Sequence, residues 1–82
     1  MTRDEFQKVL EARLKMPQGS LKPSDSRATI ESWGSFVDVD LIFLIEKEFG
    51  IEAESEILEQ ETFGELLRLL ESRGAFRESE DA

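Results

Sequence analysis

The chain of 82 residues is 39% hydrophobic and 35% charged, a size and composition that indicate one small folded domain. Its 19 acidic and 10 basic residues give a net charge of −9, which disfavours nucleic acid and anionic lipid surfaces and favours basic protein partners, unless the acidity serves solubility alone. Cysteine and histidine are absent, which excludes disulfides, thiolate nucleophiles, imidazole bases and nearly all zinc sites.

The first predicted helix begins at Thr2, because Thr2 and Glu5 have the spacing of a capping box. Apolar residues then repeat at helical intervals, namely Phe6, Val9, Leu10 and Leu14. The helix is expected to end at Met16, because the proline that follows disfavours helical geometry in the residue before it.

A long loop is predicted between the first and second helices, from Pro17 to Ser35. The segment is rich in Pro, Gly, Ser and Asp, and its apolar residues are isolated. Loops of this length are uncommon in compact domains and often have a function. We expect Leu21, Ile30 and Trp33 to anchor the loop to the helices.

The second predicted helix covers residues 36–49 and has Ser35 as its N-cap. Asp38 in the first turn complements the helix dipole, and Gly50 is a typical C-terminal stop. A short third helix is predicted at residues 54–59, with Ser55 as its candidate cap.

The fourth predicted helix begins at Thr62, because Glu65 again follows at capping-box spacing. It runs to Arg73, and its inward stripe comprises Phe63, Leu66, Leu67 and Leu70. Apart from Phe76 and the alanines at either end, residues 75–82 are polar or charged and mostly acidic, a composition typical of a solvated, disordered tail.

The predicted fold is therefore all-α, a small antiparallel four-helix bundle of three long helices and a short third helix, formed by residues 1–74. No apolar run approaches the roughly 20 residues that span a bilayer, and the first residues lack the apolar segment of a signal peptide. We expect a cytoplasmic monomer that does not insert into membranes.

Residues 31–36 are the most informative segment for function, because they place the Ser35 hydroxyl at a helix N-terminus. First-turn N–H groups and the helix dipole favour a phosphate there, and Gly34 leaves room for an approaching group. An ordinary serine cap explains the same pattern without a ligand. The chain has no histidine, and Lys47 lies more than three turns along the helix, so Ser35 lacks a base and we expect no enzymatic activity.

The second helix is apolar around most of its circumference, which is more than a small bundle can bury. One side is expected in the core and comprises Leu41, Ile42, Ile45 and Phe49. Another side carries Phe36, Val39 and Phe43, interspersed with Asp40 and Lys47. This second side is a candidate docking surface, with burial in the core as the alternative, above all for Val39.

The sequence resembles the acyl carrier protein family over nearly its whole length. The pattern is carried by Trp33-Gly34-Ser35-Phe36, Val39, Leu41 and the segment 44–51. In that family a serine opens the second helix, and an acidic stretch followed by phenylalanine closes it. Ser35 and Phe49 match those positions.

The resemblance implies that a phosphopantetheinyl transferase attaches a 4'-phosphopantetheine arm from coenzyme A to Ser35, and that the thiol of the arm carries an acyl group. It also implies that Phe36, Val39 and Phe43 occupy partner-facing or cavity-lining positions. Asp40 would occupy an acidic docking position for acyl-transfer or synthase enzymes with basic docking surfaces. Fatty acid, polyketide, amino acid and lipid-modifying systems all stay open as the pathway. The implied core adds residues of the other helices to those of the second: Phe6, Val9, Leu10, Phe63, Leu66 and Leu70.

Two residues at the serine depart from the family pattern. Gly34 stands where an aspartate is usual, and Phe36 stands where a leucine is usual. The aspartate can help to position the transferase and its metal ion. The alternative function is therefore an unmodified, carrier-like protein-interaction module.

Overall fold

The computed structural model describes residues 1–76, and all regular secondary structure within them is helical apart from one isolated bridge between Ser26 and Thr62. The helices are α1 (Arg3–Arg13), α2 (Ser35–Phe49), α3 (Glu54–Glu59) and α4 (Phe63–Ser72). The predicted all-α class is confirmed for this part of the chain. No helix in it is long and apolar enough to cross a membrane.

One apolar core joins all four helices to the segment between α1 and α2. Its buried members are Phe6, Leu10, Leu14, Leu21, Trp33, Val37, Leu41, Leu44, Ile45, Ala53, Ile57, Phe63, Leu66, Leu70 and Phe76. Ile42, Phe49 and Val9 pack against this core, as predicted, but are only partly buried. On α2 the buried face instead includes Val37 and Leu44, which share one side of the helix with Leu41 and Ile45.

The start of α1 is capped as predicted. The N–H of Glu5 donates to Thr2 Oγ1 at 3.2 Å, and the N–H of Thr2 donates to Glu5 Oε1 at 2.9 Å. The bond from the Thr2 N–H stabilises the ionised carboxylate and lowers the pKa of Glu5 from its ordinary value.

The end of α1 comes before the predicted Met16, since the last helical residue is Arg13. Lys15 adopts a left-handed conformation with φ 60°, which lets the N–H of Met16 reach the carbonyl of Glu11 at 2.9 Å. This is a Schellman ending, in which glycine usually takes the left-handed position. Because a lysine occupies that position here, the sequence carries no local sign of the turn.

The remaining helix ends follow local signals in part. Gly50 ends α2 with φ 67°, as predicted. The cap of α3 is Ala53, so the prediction of Ser55 is wrong, and Ser55 lies inside the helix. Thr62 caps α4 through a bond from the Glu65 N–H at 3.1 Å, as predicted, but the helix ends at Ser72.

Phe76 corrects the predicted boundary of the tail. Its side chain is only 1% exposed, and its ring centroid lies 5.9 Å from that of Phe6 and 5.3 Å from that of Phe49. The prediction of a solvated tail from residue 75 onward is therefore wrong at Phe76. A lone aromatic residue after a helix can fold back onto the core. The rest of the predicted tail, residues 77–82, lies outside the described residues.

Glu11 is a buried charged residue, 1% exposed, that holds the first part of the segment between α1 and α2. Its carboxylate accepts hydrogen bonds from the N–H groups of Leu21 at 2.9 Å and Gly19 at 3.0 Å, and from Gln7 Nε2 at 3.1 Å. Burial alone raises the pKa of Glu11, but these bonds outweigh burial and leave it below the ordinary value.

The three predicted anchors of the same segment all contact the core. Leu21 and Trp33 are buried, whereas Ile30 is only partly buried against the core. Further along the chain, the N–H of Gly64 donates to the carbonyl of Pro23 at 2.9 Å. The segment is thus packed between α1 and α4 before it enters α2.

Candidate functional site

The candidate site is the N-terminus of α2. The backbone of Gly34 is extended, with φ −112° and ψ −165°, and its carbonyl accepts the N–H of Asp38 at 3.1 Å. Gly34 is therefore the N-cap, and the prediction that Ser35 is the N-cap is wrong. Ser35 is instead the first helical residue, because the helical bonding pattern already begins at the carbonyl of residue 34.

The Ser35 side chain is exposed, and no side chain among the described residues caps the α2 N-terminus. The hydroxyl is thus not used for capping, which is its usual structural role at a helix start. The first-turn N–H groups lack intrahelical partners and face the same end of the helix. This arrangement offers an anion both backbone donors and the positive end of the helix dipole.

Gly34 leaves the approach to Ser35 open. A Cβ atom at this position would meet no atom within 4 Å, and the backbone angles suit any residue. The fold therefore does not require glycine here. An aspartate at position 34 is sterically compatible with the structure.

Three apolar side chains on α2 form an exposed row that we call the α2 strip: Phe36, Val39 and Phe43. Their exposed fractions are 89%, 51% and 66%. The i, i+3, i+7 spacing puts them on one face of the helix, next to the first turn. The alternative of burial in the core is excluded for all three, Val39 included.

Charged residues border the α2 strip on the side of α1. Asp40 is exposed, and its carboxylate lies 3.5 Å from the Arg13 guanidinium. Both residues line a shallow groove between α1 and α2, together with Phe43 and Lys47. The rim of the strip therefore carries both signs of charge.

Asp38 has a role that sequence reasoning did not detect beyond its effect on the helix dipole. Its carboxylate accepts bonds from Arg27 Nε at 2.9 and 3.0 Å and from Trp33 Nε1 at 3.0 Å. The Arg27 guanidinium also lies 5.2 Å from the centroid of the Trp33 ring and donates to the carbonyl of Gln60 at 2.6 Å. We call Arg27, Trp33 and Asp38 the Arg27 cluster; no regular spacing links these positions in the sequence.

Asp38 and Asp40 are not brought together, because each binds a different arginine. Within residues 1–76 no group of three or more acidic side chains is placed to hold a metal ion. The residues that the structure does bring together at the N-terminal half of α2 are Ser35, the α2 strip and Asp40.

Comparison of the chain with protein-family models, with curated proteins and with solved structures gives no match.

Proposed function

We propose that the chain is a carrier-protein domain with an antiparallel four-helix arrangement, which holds acyl groups as thioesters on a phosphopantetheine arm attached to Ser35. The observation that carries the proposal is the exposed Ser35 side chain in the first turn of α2, where no side chain of the described residues caps the helix. A phosphodiester at this position is an anion next to free N–H donors and the positive end of the helix dipole.

The residues of the chain have limited roles in this function. Ser35 Oγ bonds to the coenzyme A phosphorus that bears the pantetheine, the phosphoanhydride bond breaks, and adenosine 3',5'-bisphosphate leaves. The serine proton passes to a base of the transferase, and the open space at Gly34 admits the incoming group. The arm, once attached, supplies the thiol that carries the acyl group. Acyl transfer itself takes place in partner enzymes, since the chain has neither cysteine nor histidine.

The α2 strip and Asp40 form the proposed docking surface for these partners. Exposed phenylalanines such as Phe36 and Phe43 favour burial in an apolar groove, because aromatic side chains dominate the energetics of interfaces. The net charge of −9 favours a groove with a basic rim, because opposite charges steer the encounter.

Attachment of the arm to Ser35 is the first test. The purified protein is incubated with coenzyme A, magnesium and a broad-specificity phosphopantetheinyl transferase, and its intact mass is measured. We expect the mass gain of one phosphopantetheine, mapped to Ser35 by peptide fragmentation. The control Ser35→Ala is expected to lose all labelling, while its free energy of unfolding changes by no more than about 0.5 kcal/mol, because Ser35 is not the N-cap.

The variant Gly34→Asp separates the two candidate functions. It restores the usual aspartate at a position where the structure has room for it. Labelling of this variant alone would show that transferase recognition is weakened in the natural sequence. If neither protein is labelled, the carrier function is wrong and the unmodified interaction module is favoured.

Reversal of the charge at Asp40 tests the docking surface. We expect Asp40→Lys to weaken binding to the transferase at low salt about three- to tenfold and much less at high salt, because exposed charges are screened. Binding is measured by surface plasmon resonance at two ionic strengths. The lost pair with Arg13 is exposed and contributes little to stability.

The matched control for this change is Asp4→Lys, which alters the net charge equally but lies at the start of α1. It is expected to leave binding nearly unchanged. An equal loss in both variants would attribute the effect to net charge rather than to the α2 surface.

A further inference from the structure

We infer that the Arg27 cluster is a positioning device, which holds the chain on both sides of Ser35 so that the hydroxyl is presented to a transferase in one conformation. This inference rests on the proposed function. It concerns residues that neither touch the transferred group nor belong to the α2 strip. The cluster joins the loop, the first turn of α2 and the connection between α3 and α4.

The cluster includes residues on both sides of Ser35 in the sequence. Trp33 lies two residues before the serine and Asp38 three residues after it, and Trp33 Nε1 donates to Asp38 Oδ1 at 3.0 Å. Arg27 contacts both oxygens of the same carboxylate: Nε donates to Oδ1 at 2.9 Å and to Oδ2 at 3.0 Å, and Nη2 lies 2.8 Å from Oδ1. A fork of this kind restricts both position and orientation, which a single bond does not.

Among the ion pairs within residues 1–76, the one in the cluster is the most shielded from solvent. The Arg27 and Asp38 side chains are 27% and 16% exposed, whereas those of Arg13 and Asp40 are 40% and 53% exposed. Salt screens shielded pairs less, and removal of one partner from such a pair costs more stability than removal from an exposed pair. The Arg27–Asp38 pair is therefore expected to stabilise local structure more than the Arg13–Asp40 pair does.

Few other contacts hold the residues just before Ser35. The N–H groups of Trp33 and Gly34 donate to carbonyls only two or three residues earlier, at 3.0 and 3.1 Å. The more distant connection is the bond from Ser32 Oγ to the carbonyl of Leu14, at 2.8 Å. Loss of Arg27 would leave this segment held mainly by that bond and by the buried Trp33 ring.

Arg27 also changes the electrostatics at the site. The Asp38 carboxylate lies in the first turn of α2, where it competes with any incoming phosphate for the positive end of the helix. The two-nitrogen contact with Arg27 compensates that charge. Loss of the held conformation and loss of this charge compensation both predict that removal of Arg27 weakens productive binding to a transferase.

The test is the kinetics of arm attachment to Arg27→Gln, measured in the wild-type chain or, if only that is labelled, in the Gly34→Asp background. We expect the KM for the carrier to rise about three- to tenfold with kcat changed less than about twofold, because a smaller fraction of the protein has the competent conformation. Hydrogen exchange at residues 33–38 is expected to accelerate. Arg27→Lys, which keeps the charge, is expected to recover part of the KM.

Arg73→Gln is the matched control, because it removes the same charge and an exposed ion pair, that with Glu56. Its KM is expected to equal that of the parent. The double variant Arg27→Gln, Asp38→Asn should have a KM no higher than that of Arg27→Gln alone, because both changes remove the same ion pair.

Two outcomes overturn the inference in distinguishable ways. If the parent is labelled and Arg27→Gln has the same KM as Arg73→Gln, the cluster has no positioning role while the carrier function stands. If no background is labelled at all, the carrier function fails and the positioning role fails with it.

Discussion

Replacement of Phe76 with alanine is expected to lower the free energy of unfolding by about 3–5 kcal/mol, the usual cost of removing a buried aromatic ring. The Phe76 ring is 1% exposed and packs against Phe6 and Phe49. Its removal leaves a cavity where the end of the described chain meets α1 and α2. Urea denaturation followed by circular dichroism measures the loss.

Phe36→Ala is the control for that experiment, because it removes the same ring from a position that is 89% exposed. Its free energy of unfolding is expected to change by no more than about 0.5 kcal/mol. Similar values for the two variants would contradict the burial of Phe76. A chain shortened after Gly74 should show the same defect as Phe76→Ala, although the sequence pattern alone would permit that truncation.

Glu11→Gln is expected to lower the free energy of unfolding by about 2–4 kcal/mol at about pH 7. The Glu11 carboxylate accepts the backbone N–H groups of Gly19 and Leu21 through different oxygens, and the bond from Leu21 is buried. An amide replaces one acceptor oxygen with a donor, so one of these N–H groups is left without a partner. Urea denaturation at that pH measures the change.

The same variant tests the pH dependence of stability. Hydrogen bonds to the carboxylate outweigh burial and lower the pKa of Glu11 in the folded protein. The unfolded chain then binds the proton more readily, so the stabilisation is complete above the ordinary pKa of about 4.3 and is lost as the pH falls through the lower, folded value. The difference between wild type and Glu11→Gln should therefore shrink below about pH 4.

Glu31→Gln provides the matched comparison, because Glu31 is exposed in the same segment between α1 and α2. It is expected to leave the stability within about 0.5 kcal/mol of wild type. A pH-independent difference between wild type and Glu11→Gln would argue against an ionised, hydrogen-bonded Glu11.

Two charged side chains, Glu11 and Arg27, order different parts of the long segment before Ser35. Glu11 holds its first part through the N–H groups of Gly19 and Leu21, and Arg27 holds its last part through Asp38. Glu11 satisfies the buried N–H of Leu21, and Arg27 pairs with the partly buried carboxylate of Asp38. A segment with few apolar residues is thereby held in one conformation next to the candidate serine.

Much of the candidate site could be predicted from the sequence, since its residues are close together on one helix. The exposure of Phe36, Val39 and Phe43 follows from the excess of apolar residues on α2 over what a small domain can bury. The exact start of α2 could not be predicted, because Ser35 and Gly34 are both common N-cap residues. Their backbone geometry decides between them, and it depends on how the preceding loop is held.

The sequence by itself determined the helices, the Thr2 and Thr62 caps, the stop at Gly50 and the outward face of α2. Each of these depends on residues within about two helical turns of one another, where spacing and intrinsic preference act directly. Only the tertiary structure decided the partners of Glu11, the Arg27 cluster and the burial of Phe76. These contacts join residues whose separation in the chain obeys no periodicity, so they exist only once the helices have packed.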